Sequence, residues 1–337
     1  MCLAILAAIA AGWNFLPLFA AIRTQARVPA MVARARLFPE LGPGLRAIKR
    51  DTSGRYYILA APASSISVYG ANTKRIGGVP PASAPGVKVV FAEDIDLDAS
   101  GRLFVADRGA NAVKIFRADG SLDAAVPVIA PTSVAALSGN ELAVASLRAD
   151  RLVTIYNERG KVIRSFGDPH DAPSGTDSNR YMNHGRLSSD PLGFIYFAFT
   201  YLPNATIRKY DRFGYSAYEI SLPHPGDASV SASQATGVDI LALARRNQST
   251  AAKPVISALG VDPASQEVWV AIGDALSHFD KDGALVATYR TATADGTRLE
   301  PSAILIEPSR IILAVDPLGV YEFALPDQQA SGSVAKH

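Results

Sequence analysis

The stretch from Asp94 to Gly120, DIDLDASGRLFVADRGANAVKIFRADG, reads as strand, turn, strand, loop, strand, turn. At Asp98-Ala99-Ser100-Gly101 the aspartate can bond its own backbone two residues on, and the glycine permits a positive φ. Leu103-Phe104-Val105-Ala106 is a short, nearly continuous apolar run, as expected of a strand covered on both faces. Val113, Ile115 and Phe116 supply the next strand, and Asp119-Gly120 turns the chain again.

The same grammar recurs along the chain. Asp51-Thr-Ser-Gly54 precedes Tyr56-Tyr57-Ile58-Leu59, and Ser138-Gly139-Asn140 precedes Leu142-Ala143-Val144-Ala145. Asp190-Pro-Leu-Gly193 leads into Ile195-Tyr196-Phe197-Ala198, and Asp262-Pro-Ala-Ser-Gln266 into Val268-Trp269-Val270-Ala271. Glu307-Pro-Ser309 precedes Ile311-Ile312-Leu313-Ala314. Ala106, Ala145, Ala198, Ala271 and Ala314 share one register, where a small residue suits converging inner strands. A second signature lies downstream: Phe116, Tyr156, Tyr210 and Phe279 each stand four residues before a turn glycine, at Gly120, Gly160, Gly214 and Gly283. Tyr69 and Phe323 occupy the corresponding strand in the first and last units. A base period of about 40 residues with four strands per unit is that of a propeller blade. One such sheet cannot bury both faces alone, so the units must stack around an axis. The expected fold is therefore all-β: a six-bladed β-propeller of four-stranded antiparallel blades.

On these residues the chain resembles the NHL-repeat family of β-propellers, within the TolB-like propeller superfamily. The second unit, Asp98-Ala-Ser-Gly101-Arg-Leu-Phe-Val-Ala-Asp107-Arg-Gly-Ala-Asn111-Ala-Val-Lys-Ile-Phe116, follows the family pattern. The other units keep the hydrophobic frame but lose the Ala-Asp-x-x-Asn signature. Ser146, Phe199, Ile272 and Val315 stand where Asp107 would be. The resemblance spans roughly residues 30 to 327.

The domain organisation expected is an apolar segment over 1–27, a propeller over 30–327 and a polar, Gly/Ser-rich disordered tail over 328–337. The last unit runs out of chain after Phe323, and residues 32–38, VARARLF, alternate with arginine in a way that suits an outer strand joining the last blade to the first. Such closure would remove an open strand edge. Two connections exceed the period: Gly167 to Asn183, and Pro223 to Pro254, which includes a short helix or extra strand near Asp239. Loops of this length inside a domain are usually functional or disordered.

Met1 to Ile22 carries no charged side chain, and about 20 apolar residues suffice to span a bilayer. Asn14 and Pro17 interrupt it, and no Lys or Arg precedes it as in an ordinary signal peptide. Arg23 and Arg27 follow, as beside an uncleaved anchor with its C-terminal side in the cytoplasm. The reading is a signal peptide or membrane anchor, with possible membrane attachment through residues 1–22. The product is expected to be exported (periplasmic or extracellular) or membrane-anchored. Cys2 is the single cysteine, which excludes an intrachain disulfide framework and any multi-cysteine zinc site.

The chain holds 33 Lys+Arg against 31 Asp+Glu in 337 residues, a formal net charge of +2. That balance gives no general reason to expect a nucleic-acid partner, which usually needs a clustered basic surface, and none is expected. With 48% hydrophobic and 19% charged residues, a low-hydrophobicity disordered chain is excluded. There is no Gly-x-Ser-x-Gly elbow, phosphate loop or dinucleotide fingerprint.

In this topology the loops between blades and those after each second strand lie at one end. Aligning the turns puts Ala47, Asp94, Ser133, Arg186, Ala258 and Ala303 at equivalent starts of the inner strands, with Arg46, Glu93 and His184 adjacent. The candidate ligand-binding residues are Arg46, Glu93, Asp94, Asp107 and Arg186, a polar channel mouth for a small molecule, peptide or protein partner. Asp107 and Asn111 have a competing role, bonding turn backbone to order their loop. No catalytic residue and no cofactor are assigned. The alternative is a metal-dependent lyase or hydrolase at the same end. An NHL-like propeller lyase with a histidine site is its precedent, and Zn would be held by His170, His184 and His224, which fall in or beside the two long connections. Ca at Glu93 and Asp94 is the other metal option.

Overall fold

The computed structural model describes residues 28–61, 65–84, 86–170, 180–222 and 253–326. They form six sheets, each built outward from an inner strand. Blade 1 comprises Leu45–Arg50, Tyr56–Ala60, Ile66–Tyr69 and Arg75–Val79. Blade 2 comprises Ala92–Leu97, Leu103–Asp107, Ala112–Phe116 and Leu122–Pro127. Pro131–Leu137, Glu141–Ser146, Val153–Asn157 and Val162–Phe166 make blade 3. Blade 4 follows with Gly185–Ser189, Ile195–Phe199, Ala205–Tyr210 and Ser216–Leu222. Blade 5 holds Ala258–Val261, Val268–Ile272, Ala275–Phe279 and Leu285–Ala292. In blade 6, Ala303–Glu307, Arg310–Val315 and Gly319–Ala324 are joined by Ala35–Leu37 as the outer strand.

Each inner strand packs against the inner strands of the blades before and after it, and Ala303–Glu307 packs against Leu45–Arg50. The fold is thus a closed six-bladed propeller. Its apolar residues sort into one cluster per blade interface among the described residues. The clusters explain why second strands carry long apolar runs: Leu103–Asp107, Ile195–Phe199 and Val268–Ile272 are buried at every position, because each face meets a neighbouring blade. Burying one such Val, Ile, Leu or Phe contributes about 1.5–3 kcal/mol.

The repeat's register is visible in the pairing. Asp94, Ser133, Arg186, Ala258 and Ala303 lie opposite Ala106, Ala145, Ala198, Ala271 and Ala314. In blade 1 the pair is Ala47 and Leu59. The turn that anchors blade 2 has the expected chemistry. Gly101 has φ +79°, Asp98 Oδ1 accepts from the Ser100 and Arg102 amides at 2.9 Å each, and Arg102 Nε donates to Asp98 Oδ2 at 2.7 Å. Burial would raise the Asp98 carboxyl, but the bonds from Ser100 and Arg102 outweigh it and hold it below the ordinary carboxylate range.

One blade departs from the four-stranded expectation. Ala30–Val32 adds a fifth strand to blade 5, parallel to Leu285–Ala292. The physical reason is local: Met31 is 1% exposed and fills the cluster between blades 5 and 6. The chain then crosses to blade 6, where Ala35–Leu37 runs antiparallel to Gly319–Ala324. Phe38 follows with φ +49° and packs its ring on Tyr56 and Tyr69 of blade 1, at 5.3 and 4.7 Å between centroids. A polar clamp sits at the same seam, at the far end of the inner strands. Arg310 donates to Glu307 at 2.6 Å, to Glu322 at 2.5 Å and to the Tyr56 hydroxyl at 2.7 Å.

The apolar segment over 1–27, the tail over 328–337 and the stretch near Asp239 lie outside the described residues. Among the described residues no helix is long and apolar enough to cross a membrane.

Candidate ligand site at the channel mouth

The starts of the inner strands and the residues just past the second strands meet at one end of the propeller. There they enclose a cavity of about 400 Å³, within the range of small-molecule sites, lined by residues of blades 1 to 4 and by Pro254. Arg46, Glu93, Asp94 and Arg186, four of the five residues expected at this mouth, line it together. His184, the neighbour of Gly185 at the start of blade 4, lines it too.

The charges are interlocked. Glu93 bridges two guanidinium groups: Oε2 pairs with Arg46 Nη1, and Oε1 with Arg108 Nε at 2.7 Å. Both guanidiniums also lie over the Phe91 ring, 5.2 and 4.8 Å from its centroid. Asp94 is 8% exposed. Its Oδ2 accepts from Ser133 Oγ, and its Oδ1 from the Ile95 amide at 2.9 Å. Burial raises the Asp94 carboxyl above its ordinary range, with Lys49, Arg186 and Ser133 opposing the rise. One step deeper, Lys49 pairs with Asp96 at 2.8 Å. Burial alone would lower the Lys49 ammonium, but Asp96 and Asp94 reverse the sign and hold it above its ordinary value.

Arg186 has a different environment. Its Nη1 donates to the Arg46 carbonyl at 3.1 Å. Among the described residues no carboxylate reaches ion-pair distance of it; Asp94 acts on it through space. A guanidinium has five N–H donors, so among the described residues most of its bonding capacity is uncommitted, and it lines the cavity.

Part of the lining is aromatic. Tyr181 and Tyr201 stand 4.6 Å apart between ring centroids, and His184 is 5.3 Å from Tyr201. His184 Nδ1 lies 3.1 Å from Thr200 Oγ1. Burial first, then the positive charges of Arg186, Arg108 and Arg46, push the imidazole down to about 4. His184 is therefore a neutral ring at pH 7.

Asp107 does not belong to this mouth. It is fully buried, accepts from the Val90, Phe91 and Ala110 amides at 2.9, 2.8 and 3.2 Å, and pairs with Lys114 at 2.7 Å. Burial opposes ionisation there, yet Lys114 and the two loop amides keep the carboxyl below its ordinary range. Asn111, at φ +49°, accepts from the Ala130 amide at 2.9 Å. Both side chains brace loop backbone, and the four bonds that Asp107 accepts leave its carboxylate no acceptor capacity for a ligand.

The histidines do not gather as a described metal centre. His170 is exposed and its backbone amide bonds Asn183 Oδ1 at 2.7 Å, while His224 lies outside the described residues. Among the described residues no three His, Cys, Asp or Glu side chains are grouped for a metal.

Arg108, Thr132, Leu147, Tyr181, Thr200 and Tyr201 also line the cavity, and sequence reasoning passed over them. A signal existed: Arg108, Leu147 and Thr200 each directly follow the position equivalent to Asp107. A larger depression, about 850 Å³, lies on the outer flank between blades 1 and 2, over Gly77 and Gly78. The mouth is the stronger candidate because half-buried and buried charges from several blades converge there.

No family model and no curated protein matches the chain. Solved structures do. A streptogramin B lyase structure superposes with a TM-score of 0.52 at 14% identity, covering 84% of each chain. A catalytically inactive variant of virginiamycin B lyase from Staphylococcus aureus with quinupristin gives 0.55 at 13% identity, covering 85% of this chain and 82% of that one. Hydrazine synthase from Kuenenia stuttgartiensis gives 0.53 at 13% identity, over 85% and 96%. At these identities the likeness is one of fold, since function lives in the site.

Proposed function

We propose that this protein is a non-catalytic binding propeller that receives a small ligand, or one group of a peptide or protein partner, at the channel mouth. The observation that carries the reading is the convergence of Arg46, Glu93, Arg108, Arg186 and the Tyr181–Tyr201–His184 wall around one cavity. Arg46, Glu93 and Arg108 fix one another through ion pairs and the three rings through their contacts, which is what a pre-organised recognition surface needs. We also read the ring as NHL-like, on the strength of the second unit. We place the chain outside the cytoplasm or on a membrane, on the strength of the uncharged stretch from Met1 to Ile22.

The second reading is a metal-dependent lyase or hydrolase using Zn or Ca at the same end. His184 lining the mouth favours it, because His170 is tied to the adjacent Asn183. Metal analysis and fragment binding on the purified full chain separate the two. Binding at the mouth that survives chelation is the expected result. Stoichiometric zinc that is lost when His170, His184 and His224 are changed to Ala, or calcium that is lost when Glu93 and Asp94 are changed to Gln and Asn, would overturn the binding reading in favour of the enzyme.

A further inference from the structure

Within the cavity, the positive charges exceed what the local carboxylates answer. Three cations, Arg46, Arg108 and Arg186, line it with two carboxylates, Glu93 and Asp94; Lys49 and Asp96 lie one step deeper. Lys49 and Asp96 satisfy each other. Glu93 spends both of its oxygens on Arg46 and Arg108. Asp94 is turned toward Ser133 and the Ile95 amide. Arg186 is left with a single carbonyl partner among the described residues. A half-buried guanidinium with free donors attracts a planar anion that can accept two parallel N–H bonds.

The rest of the cavity limits what carries that anion. Tyr181, Tyr201 and His184 offer flat faces within ring-stacking distance of one another. Aromatic groups prefer offset or edge contacts with such faces. The volume, about 400 Å³, suits a ligand of modest size.

Resting on the binding reading above, we infer that the mouth takes a small aromatic carboxylate, its carboxylate on Arg186 and its ring against Tyr201, Tyr181 and His184. Arg46 and Arg108, held by Glu93 and stacked on Phe91, set the positive field around it without being the anchor.

The test compares 4-hydroxyphenylacetate with its amide, 4-hydroxyphenylacetamide, and with the cation tyramine, on the full chain. Calorimetry gives the affinities, and the His184 ring resonances report occupancy of the mouth. The carboxylate should bind at least tenfold more tightly than the amide and shift His184. Arg186→Gln, verified as folded by circular dichroism, should reduce the carboxylate to the affinity of the amide. Should that variant not fold, raising the salt concentration on the unaltered protein should weaken the carboxylate and spare the amide. Equal affinity for carboxylate and amide, or carboxylate binding untouched by Arg186→Gln, overturns the inference. Amide or tyramine shifting His184 while the carboxylate does not would sink the anion assignment and leave mouth binding standing. Silence of His184 toward all three overturns both.

Discussion

Ser133 Oγ donates to Asp94 Oδ2, and the two residues hold the same register position in adjacent inner strands. The same hydroxyl oxygen accepts from the Leu187 amide of the next blade at 2.9 Å. One serine therefore links blades 2, 3 and 4 in series beneath the candidate site. It is fully buried, so its loss cannot be made good by bulk water. Ser133→Ala should cost about 1–3 kcal/mol, the penalty for stranding buried polar partners, read as a lower urea midpoint. Asp94→Asn on that background should add less than it does alone. Full additivity of the two changes would show that the bond does not couple the blades.

Asp107 is expected to matter for stability and not for binding. Asp107→Ala would leave three loop amides without their acceptor and the Lys114 ammonium, still bonded to the Lys88 carbonyl, without its counter-charge. Removing one partner from a buried pair typically costs about 3–5 kcal/mol. Chemical denaturation should show that loss, while any variant still folded should keep the mouth's ligand affinity.

The seam between blades 6 and 1 has its own marker in Phe38, which is 1% exposed. Phe38→Ala should destabilise by about 3–5 kcal/mol through the cavity left against Tyr56 and Tyr69. Val32→Ala, on a side chain 43% exposed, should stay within about 0.5 kcal/mol. Equal effects of the two would mean that the segment does not seal the seam.

The His184 ring should show no titration between pH 8 and 5 by NMR, given a folded-state value of about 4 against an ordinary 6.5. Because the folded value is the lower one, the unfolded chain takes up the proton first. The stability contributed by the neutral ring is complete above pH 6.5 and fades as pH falls toward 4. His184→Asn should flatten the stability profile in that window. A ring that titrates near 6.5 would remove the three-arginine field from the account.

A second acid sensitivity, of the same sign but at lower pH, is expected at the turn of blade 2. Asp98→Asn should cost about 1–3 kcal/mol at neutral pH. The difference from the unaltered protein should begin to shrink as pH drops below the ordinary carboxylate value near 4, because the unfolded chain takes up the proton first, and vanish only at the lower pH where the native carboxylate protonates too. A cost independent of pH would mean that charge plays no part in the turn.

Much of the ring was legible because its two constraints are local. A tight turn needs Asp and Gly at fixed offsets, and a strand pressed between neighbours needs an unbroken apolar run, so Asp98-Ala-Ser-Gly101 and Leu103–Ala106 declare themselves. The shared alanines were legible for the same reason: Ala106 and its equivalents sit where inner strands crowd. Ala30–Val32 was not, because a three-residue strand with a single buried side chain leaves no periodicity to read. Of the mouth, the starts of the inner strands followed from alignment, whereas Arg108 and Tyr201 needed the ring to be closed before their neighbours were known. Asp107 shows the limit from the other side. A carboxylate in a loop near a channel carries the same letter whether it faces a ligand or holds up its own backbone, and only the surrounding amides decide.

The strand pair at the start of the described chain has a mechanical consequence. Ala30–Val32 is laid on blade 5 and Ala35–Leu37 on blade 6, with Ala33 and Arg34 bridging them through backbone bonds to Ala292 and Glu322. Tension arriving from upstream is thus shared between two sheets rather than peeling one strand from a single edge, like a lace threaded through two eyelets. The joint where the ring's beginning meets its end is in this way reinforced against pulling from that direction.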